Sequence, residues 1–289
     1  MTNAIFTGLM LGGMYALIAM GLTLQYGVAR IMNLSYGEFL VAASFASYWL
    51  FTGWALNPLL GLAIVVPIGF GVSIILYRVL LTPLVRRAPT RDALEVDSLL
   101  ATFGMMFIVQ GIMLTMFGGA YFSYSFLSVP VNVLGETLAL NRLLAFGLAV
   151  VFGLALYLAL TRTRFGTAIR AVAVDPSAAR LVAIDVTSIS AFAFALGGAM
   201  VAAAGVLVSM FLTFSASSGV IFTMKALMVV VMGGVGNLLG CLVAGLALGL
   251  SESLVATFVD PGLTLAVNFA LFLGVLLVKP AGLFGRAQR

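Results

Sequence analysis

Asn33, Ser35, Tyr36 and Glu38 bring an amide, a hydroxyl, a phenol and a carboxylate into six residues of an otherwise strongly apolar chain. Groups of these types can hydrogen-bond a small polar solute. They can equally end one helix and start the next, since Ser35 and Asn33 are both good N-cap residues. Two readings therefore stand: an ordinary solvated loop, or a polar patch beside a path through a membrane. Membrane helices are broken only where the interrupted backbone is buried in protein or lines a cavity. A second interruption, Gly233-Gly234-Val235-Gly236-Asn237, either lines the same path or packs helices closely through small residues. Gly233, Gly234, Gly236 and Asn237 join the first four as candidate path residues. Glu252 ends an apolar run and is expected to mark the water interface rather than an intramembrane carboxylate.

Other chemistry is missing. The chain has no histidine, which removes the commonest general base and metal ligand. Its single cysteine, Cys241, allows no intramolecular disulfide. No metal-ligand cluster, Ser-His-Asp arrangement or phosphate-binding loop appears, so a hydrolytic enzyme or a nucleotide-hydrolysing chain is not expected. The net charge of +5 comes without the basic stripe that nucleic acid binding needs.

The elements that must position the polar residues follow from composition. Of 289 residues, 63% are hydrophobic and only 8% charged, against roughly 25% in an ordinary soluble domain. Most of the surface must then face lipid or other apolar protein. Apolar runs cover about 4–27, 38–52, 58–80, 98–118, 143–160, 187–212, 224–250 and 263–278. Each approaches the ~20 residues that a helix needs to cross hydrocarbon, and none alternates as a barrel strand does. The expected fold is an all-α polytopic bundle of about eight spans, up to ten with broken helices, forming one transmembrane domain over 1–289. The first run lacks the basic start of a signal peptide and reads as a retained span.

Arg78, Arg86, Arg87 and Arg91 follow the third run, and Arg162, Arg164, Arg170 and Arg180 follow the fifth. Both gaps should be cytoplasmic, with the N-terminus outside. Eight simple crossings would then leave the tail outside, although Lys279, Arg286 and Arg289 favour the inside. The conflict disappears if the run 224–250, broken at its glycines, enters and returns to the same face.

The loop at about 161–186 is more than a linker. A short helix over about 166–174 is expected to break and restart with Asp175 as N-cap and Pro176 at the first helical position. Two short amphipathic helices with arginines make a knob suited to a groove on a soluble partner, or to a membrane surface.

On these residues the chain resembles the permease subunits of bacterial high-affinity branched-chain amino acid ABC importers, a family that also includes urea and short-amide permeases. The resemblance runs nearly end to end. It rests on residues 13–24 (GMYALIAMGLTL), the Asn33–Glu38 break, the Arg164–Asp185 loop, residues 233–240 (GGVGNLLG) and the ending 279–285 (KPAGLFG). A histidine usually stands in that family where this chain has Tyr36, and a glycine where it has Ala183, a small change expected to be tolerated in a helix.

The resemblance implies a bacterial inner-membrane permease subunit working with a second related permease, two cytoplasmic ATPases that use ATP and Mg, and a periplasmic binding protein. This chain itself would bind no cofactor. Arg164, Phe165, Gly166, Arg170, Asp175, Pro176 and Arg180 would couple ATPase closure to helix movement. Branched-chain or other apolar amino acids are the expected cargo, with urea, short amides or another small solute as the alternative. An ion-coupled carrier is less favoured, because such carriers need buried ionisable relays.

Overall fold

The computed structural model describes residues 1–88, 90–133 and 135–285, without the side chains of Arg91, Asp92 and Val133. Its helices are α1 (Thr2–Ala29), α2 (Tyr36–Trp54), α3 (Pro58–Leu76), α4 (Thr82–Arg87), α5 (Arg91–Phe117), α6 (Leu140–Arg162), α7 (Arg164–Val174), α8 (Pro176–Leu181), α9 (Val186–Ser209), α10 (Gly219–Gly233), α11 (Leu238–Phe258) and α12 (Thr264–Val278). A π-turn over Tyr77–Leu81 joins α3 to α4, so the two run on as one span. A small antiparallel hairpin, β1 (Pro130–Val133) with β2 (Glu136–Ala139), lies in the α5–α6 connection.

Among the described residues, seven helical stretches are long and apolar enough to cross a membrane: α1, α3–α4, α5, α6, α9, α11 and the segment containing α12. Helices α2 and α10 stand outside that set. The 15 residues of α10 rise only about 22 Å, short of the ~30 Å hydrocarbon core.

Close contacts fix the directions. Helix α11 lies antiparallel along α1, with Gly8 and Gly12 against Leu250 and Leu246, and Gly245 against Ala16. Helix α9 crosses α1 where Gly197 meets Gly21, and packs on α3 where Gly69 meets Ala202 and Gly198 meets Ser73. Small residues at these crossings let backbones approach, which is how helices gain packing energy without a hydrophobic driving force in lipid.

The result is two inverted sets, α1–α2–α3–α5 and α9–α10–α11–α12, joined through α6. Each begins with a long enclosed helix, then a break, then a helix that starts inside the bundle. The neighbours correspond: α1 lies on α11 and α9 on α3, while α2 and α10 meet each other.

The apolar run 224–250 is thus parts of two antiparallel helices, α10 and α11, joined by a turn at the arginine-bearing end. The tail returns there as well: Leu283 N–H donates to Met232 O (2.7 Å) and Phe284 N–H to Gly233 O (3.2 Å). Lys279 therefore sits at the same end as the arginine-rich gaps, and the orientation conflict vanishes; Arg286 and Arg289 lie outside the described residues. Among the described residues, counting α2 and α10 with the segments leading into them, the chain crosses the bundle nine times.

Candidate functional site at the meeting of two helix starts

After α1, Arg30 takes a left-handed turn (φ 55°) and residues 31–35 re-enter the bundle. This backbone has no helix to satisfy it, so side chains do. Thr102 on α5 accepts from Leu34 N–H (3.1 Å) and donates to Met32 O (3.0 Å), and Ser98 lies within reach of Met32 N–H (3.4 Å). Asn33 Nδ2 donates to Gln25 Oε1 (3.1 Å), and Gln25 Nε2 in turn donates to Phe194 O on α9 (3.0 Å). Asn33 Oδ1 accepts from both the N–H and the hydroxyl of Ser35 (3.1 and 2.6 Å). The Tyr36 hydroxyl donates to Gly197 O (3.1 Å) at the α1–α9 crossing. Asn33, Ser35, Tyr36 and Glu38 are all buried, so the solvated-loop reading fails.

The matching break, 210–218, does not stand out from the sequence. It is tied down by Asn141 Nδ2 donating to Met210 O (2.9 Å) and by a two-way backbone bridge between Phe214 and Phe122. The available signal is Ser215-Ala216-Ser217-Ser218, a hydroxyl-rich run between apolar segments.

Helices α2 and α10 then start beside each other. Gly37 N–H donates to Thr223 Oγ1 (2.8 Å), and that hydroxyl lies within reach of Leu34 O (3.3 Å) and Gly219 O (3.2 Å). A β-carbon on Gly37 would collide with Gly219 O and Thr223; one on Gly219 would collide with the Glu38 carboxyl group. Glu38 is completely buried there, and neither carboxylate oxygen has a hydrogen-bond partner among the described residues.

A second polar cluster lies along α10. Lys225 Nζ donates to both oxygens of Glu252 (2.8 and 2.9 Å) and to the Tyr15 hydroxyl (2.7 Å). Asn268 on α12, fully buried, donates to Glu252 Oε2 (3.1 Å). Glu252 is therefore not a simple interface marker but half of an ion pair joining α10 to α11. It also lines a cavity of about 550 Å³ with Asn3, Thr7, Ser253, Thr257 and Thr264, at the end opposite the arginines. Sequence reasoning misses Lys225, Tyr15 and Asn268; a lysine inside an apolar run is the one signal that could have found them.

The second predicted group is not brought together with the first. Gly234 (φ 97°) and Gly236 (φ 82°) make the α10–α11 turn in conformations that favour glycine. Asn237 caps α11 by accepting from Gly240 N–H (3.0 Å) and donates to Phe284 O (3.2 Å). Gly233 packs on Gly240. These residues bind the turn to the tail at the arginine end.

The knob forms as expected. Helix α7 buries Gly166, Ile169 and Val172 at a three-residue spacing, leaving Arg164, Phe165 and Arg170 exposed. Thr163 caps it by accepting from Gly166 N–H (3.0 Å), and a side chain at Gly166 would run into the carbonyls of Ala159 and Leu160. Asp175 Oδ1 accepts from Ser177 N–H (2.8 Å) and Ala178 N–H (3.1 Å), starting α8 at Pro176. Arg180, Leu181 and Val182 are exposed, and Phe165 stacks on Phe192 of α9 (5.7 Å). At the start of α9, the Ser188 hydroxyl and backbone N–H hold the Asp185 carboxyl below the usual carboxylate range, helped by Thr187 N–H and Arg180.

One expectation needs correcting. Ala183 is not in a helix; it stands at φ 60° just after α8. Ile184 N–H bonds Ala179 O and Ala183 N–H bonds Arg180 O (both 3.1 Å), the Schellman pattern whose left-handed residue is usually glycine.

Comparison with known proteins agrees with this architecture. A family model described as the permease component of branched-chain amino acid transport systems matches residues 4–276. The chain is 31% identical to the high-affinity branched-chain amino acid transport system permease protein LivH of Escherichia coli, over 98% of this chain and 95% of that protein. It is 30% identical to the corresponding permease protein BraD of Pseudomonas aeruginosa, over 97% and 94%. A probable LivH of Methanocaldococcus jannaschii is 25% identical over 93% and 88%. No solved structure matches. Spanning helices, paired breaks and a match along nearly its whole length place the chain in the family of permease components of branched-chain amino acid transport systems.

Proposed function

We propose that this chain is a non-enzymatic permease subunit of an ATP-driven ABC importer that carries branched-chain amino acids across the cytoplasmic membrane. The observation that carries the reading is the meeting of α2 and α10 inside a bundle of this family. Helix N-termini that meet inside a bundle are how transporters present positive dipole ends and free N–H groups to a solute. Asn33, Ser35, Tyr36 and Glu38 would then flank the solute path, and the cavity beside Glu252 would be its mouth on the far side from the arginines.

The arginine end is the cytoplasmic one in this reading. There α7 and α8 would dock one of the two ATPase subunits, which bind the ATP and Mg, while a second related permease and an extracytoplasmic binding protein complete the machine. The exposed Arg164, Arg170 and Arg180, interleaved with exposed Phe165 and Leu181, suit a partner groove of mixed apolar and acidic character. Phe165 on Phe192 gives that partner a grip on α9, whose far end leads through the 210–218 break into α10. Movement at the knob would so reach α10 and α2 as a shift of packed, rigid elements.

The test is uptake of radiolabelled leucine into proteoliposomes holding this chain with its co-encoded permease, ATPases and binding protein. Uptake that needs both ATP and the binding protein is the expected result. ATP-driven uptake of a different solute would move the substrate assignment, and uptake by this chain alone on an ion gradient would remove the ABC reading.

A further inference from the structure

Resting on that reading, the geometry around Glu38 narrows the class of solute. The run Ser35-Tyr36-Gly37-Glu38 has the form of a capping box, in which the glutamate would reach back to the N–H of its own N-cap residue. Here Asn33 Oδ1 already takes the Ser35 N–H (3.1 Å). Glu38 is thereby released from local capping, and its carboxyl group lies against Gly219, the first residue of α10.

Three facts then coincide. The carboxylate is fully buried with neither oxygen partnered among the described residues. Helix α10 opens with N–H groups that its N-cap residue, Ser218, leaves without a side-chain acceptor. The lysine of that same helix is committed to Glu252 (2.8 Å) and does not answer Glu38. A buried acceptor without a partner thus lies in contact with the first residue of a helix whose cap is unfilled, and an α-amino acid head group carries a complement to each.

We propose that Glu38 and the first turn of α10 form the intramembrane site for a zwitterionic α-amino acid, with Glu38 receiving its ammonium and the α10 N–H groups its carboxylate. In the structure the Glu38 carboxyl group is packed against Gly219 with no room between them, so the solute enters by parting α2 from α10. Uncharged urea and short amides do not match this pair of charges.

The experiment measures equilibrium binding of radiolabelled leucine to the assembled permease–ATPase complex in nanodiscs without the binding protein. Competitors are 4-methylpentanoate, which lacks the ammonium, and 3-methylbutylamine, which lacks the carboxylate. In the unaltered complex both should compete at least about tenfold more weakly than leucine, the scale of one charge-assisted hydrogen bond. Glu38→Gln should erase the advantage of leucine over 4-methylpentanoate, because a ratio of two ligands on one protein cancels any general loss of fold. If Glu38→Gln does not assemble, Glu38→Asp and the competition pattern of the unaltered complex carry the test. Persistence of leucine's advantage in Glu38→Gln, or full competition by 4-methylpentanoate in the unaltered complex, overturns the proposal while leaving the permease reading intact. ATP-driven transport of an uncharged solute in place of leucine overturns both.

Discussion

The two interruptions that stand out in the sequence, Asn33–Glu38 and Gly233–Asn237, look alike as breaks in apolar runs and turn out to be opposites. The first is buried and expensive: its backbone is satisfied by Ser98 and Thr102 of α5, its Asn33 side chain is held by Gln25 of α1, and it delivers a carboxylate to the bundle interior. The second sits at the arginine end, is closed by its own glycines and Asn237, and is covered by the returning tail. A turn at a membrane surface needs backbone freedom. A turn within the hydrocarbon depth needs side-chain donors and acceptors from elsewhere in the fold. The polarity of neighbouring spans, more than the glycines of the break, separates the two kinds.

That contrast can be broken at several points, taken from the largest expected effect down. Gly37→Val drives a branched side chain into Gly219 O and Thr223, where nothing flexible can yield. It should prevent α2 and α10 from meeting, with loss of assembled complex on size exclusion. Gly236→Ala meets open space and only the left-handed penalty of about 1–2 kcal/mol, so it should fold and transport. Equal damage from both would erase the distinction between the breaks. Next comes Lys225→Ala, which strands Glu252 beside α1 and α12. Removing one partner of a buried pair costs about 3–5 kcal/mol, and the pair's slight exposure moves this toward the lower value. Lys225→Met with Glu252→Gln should recover most of the lost thermal midpoint; failure to recover would mean that the packing of the lysine stem matters more than its charge.

At the knob the expected loss is of coupling rather than of fold. Gly166→Leu meets the Ala159 and Leu160 carbonyls and should tilt α7, while Asp175→Lys removes the cap of α8. Both should leave the protein in the membrane with ATP hydrolysis no longer producing uptake. Normal uptake in both would refute the coupling assignment. Asp185 offers a smaller, pH-dependent effect. Its folded-state pKa is depressed, chiefly by Ser188, so its contribution is present above the ordinary carboxylate pKa and is lost as pH falls through the lower folded value. Asp185→Asn should flatten that acid limb in a melting series; an unchanged acid limb would show that the cap does not matter to unfolding.

Much of this is legible in the residues. The spans, the arginine end and the Thr161–Val186 knob follow from apolar runs, from Lys/Arg spacing and from Asp175-Pro176, because each is a local signal. Legible too is the Asn33–Glu38 cluster as a break. Its burial is not, since that depends on Gln25, Ser98 and Thr102, which lie elsewhere in the sequence and each read as an unremarkable span residue. For the same reason the 210–218 break and the Lys225–Glu252 pair escape notice. Pairing across a bundle leaves no periodicity in either partner, so Glu252 read alone resembles a helix end.

The smallest test returns to a residue where family resemblance and geometry disagree about context. The sequence suggests that Ala183 rides in a helix, yet it occupies the left-handed position of the Schellman turn that ends α8. A non-glycine residue there costs roughly 1–2 kcal/mol of backbone strain. Glycine relieves it but adds unfolded-state entropy worth about 0.4–1 kcal/mol. The balance of these two effects for Ala183→Gly is a gain of roughly 0.5–1 kcal/mol, read as a small rise in the thermal midpoint of the detergent-solubilised complex. Because the turn aims exposed Leu181 and Val182 away from the bundle, the same change should leave leucine uptake per ATP unaltered if strain is all that Ala183 contributes. A fall in the midpoint would mean that the alanine methyl makes packing contacts worth more than the strain. A fall in coupling without one would mean that the stiffer turn is part of how the knob transmits force.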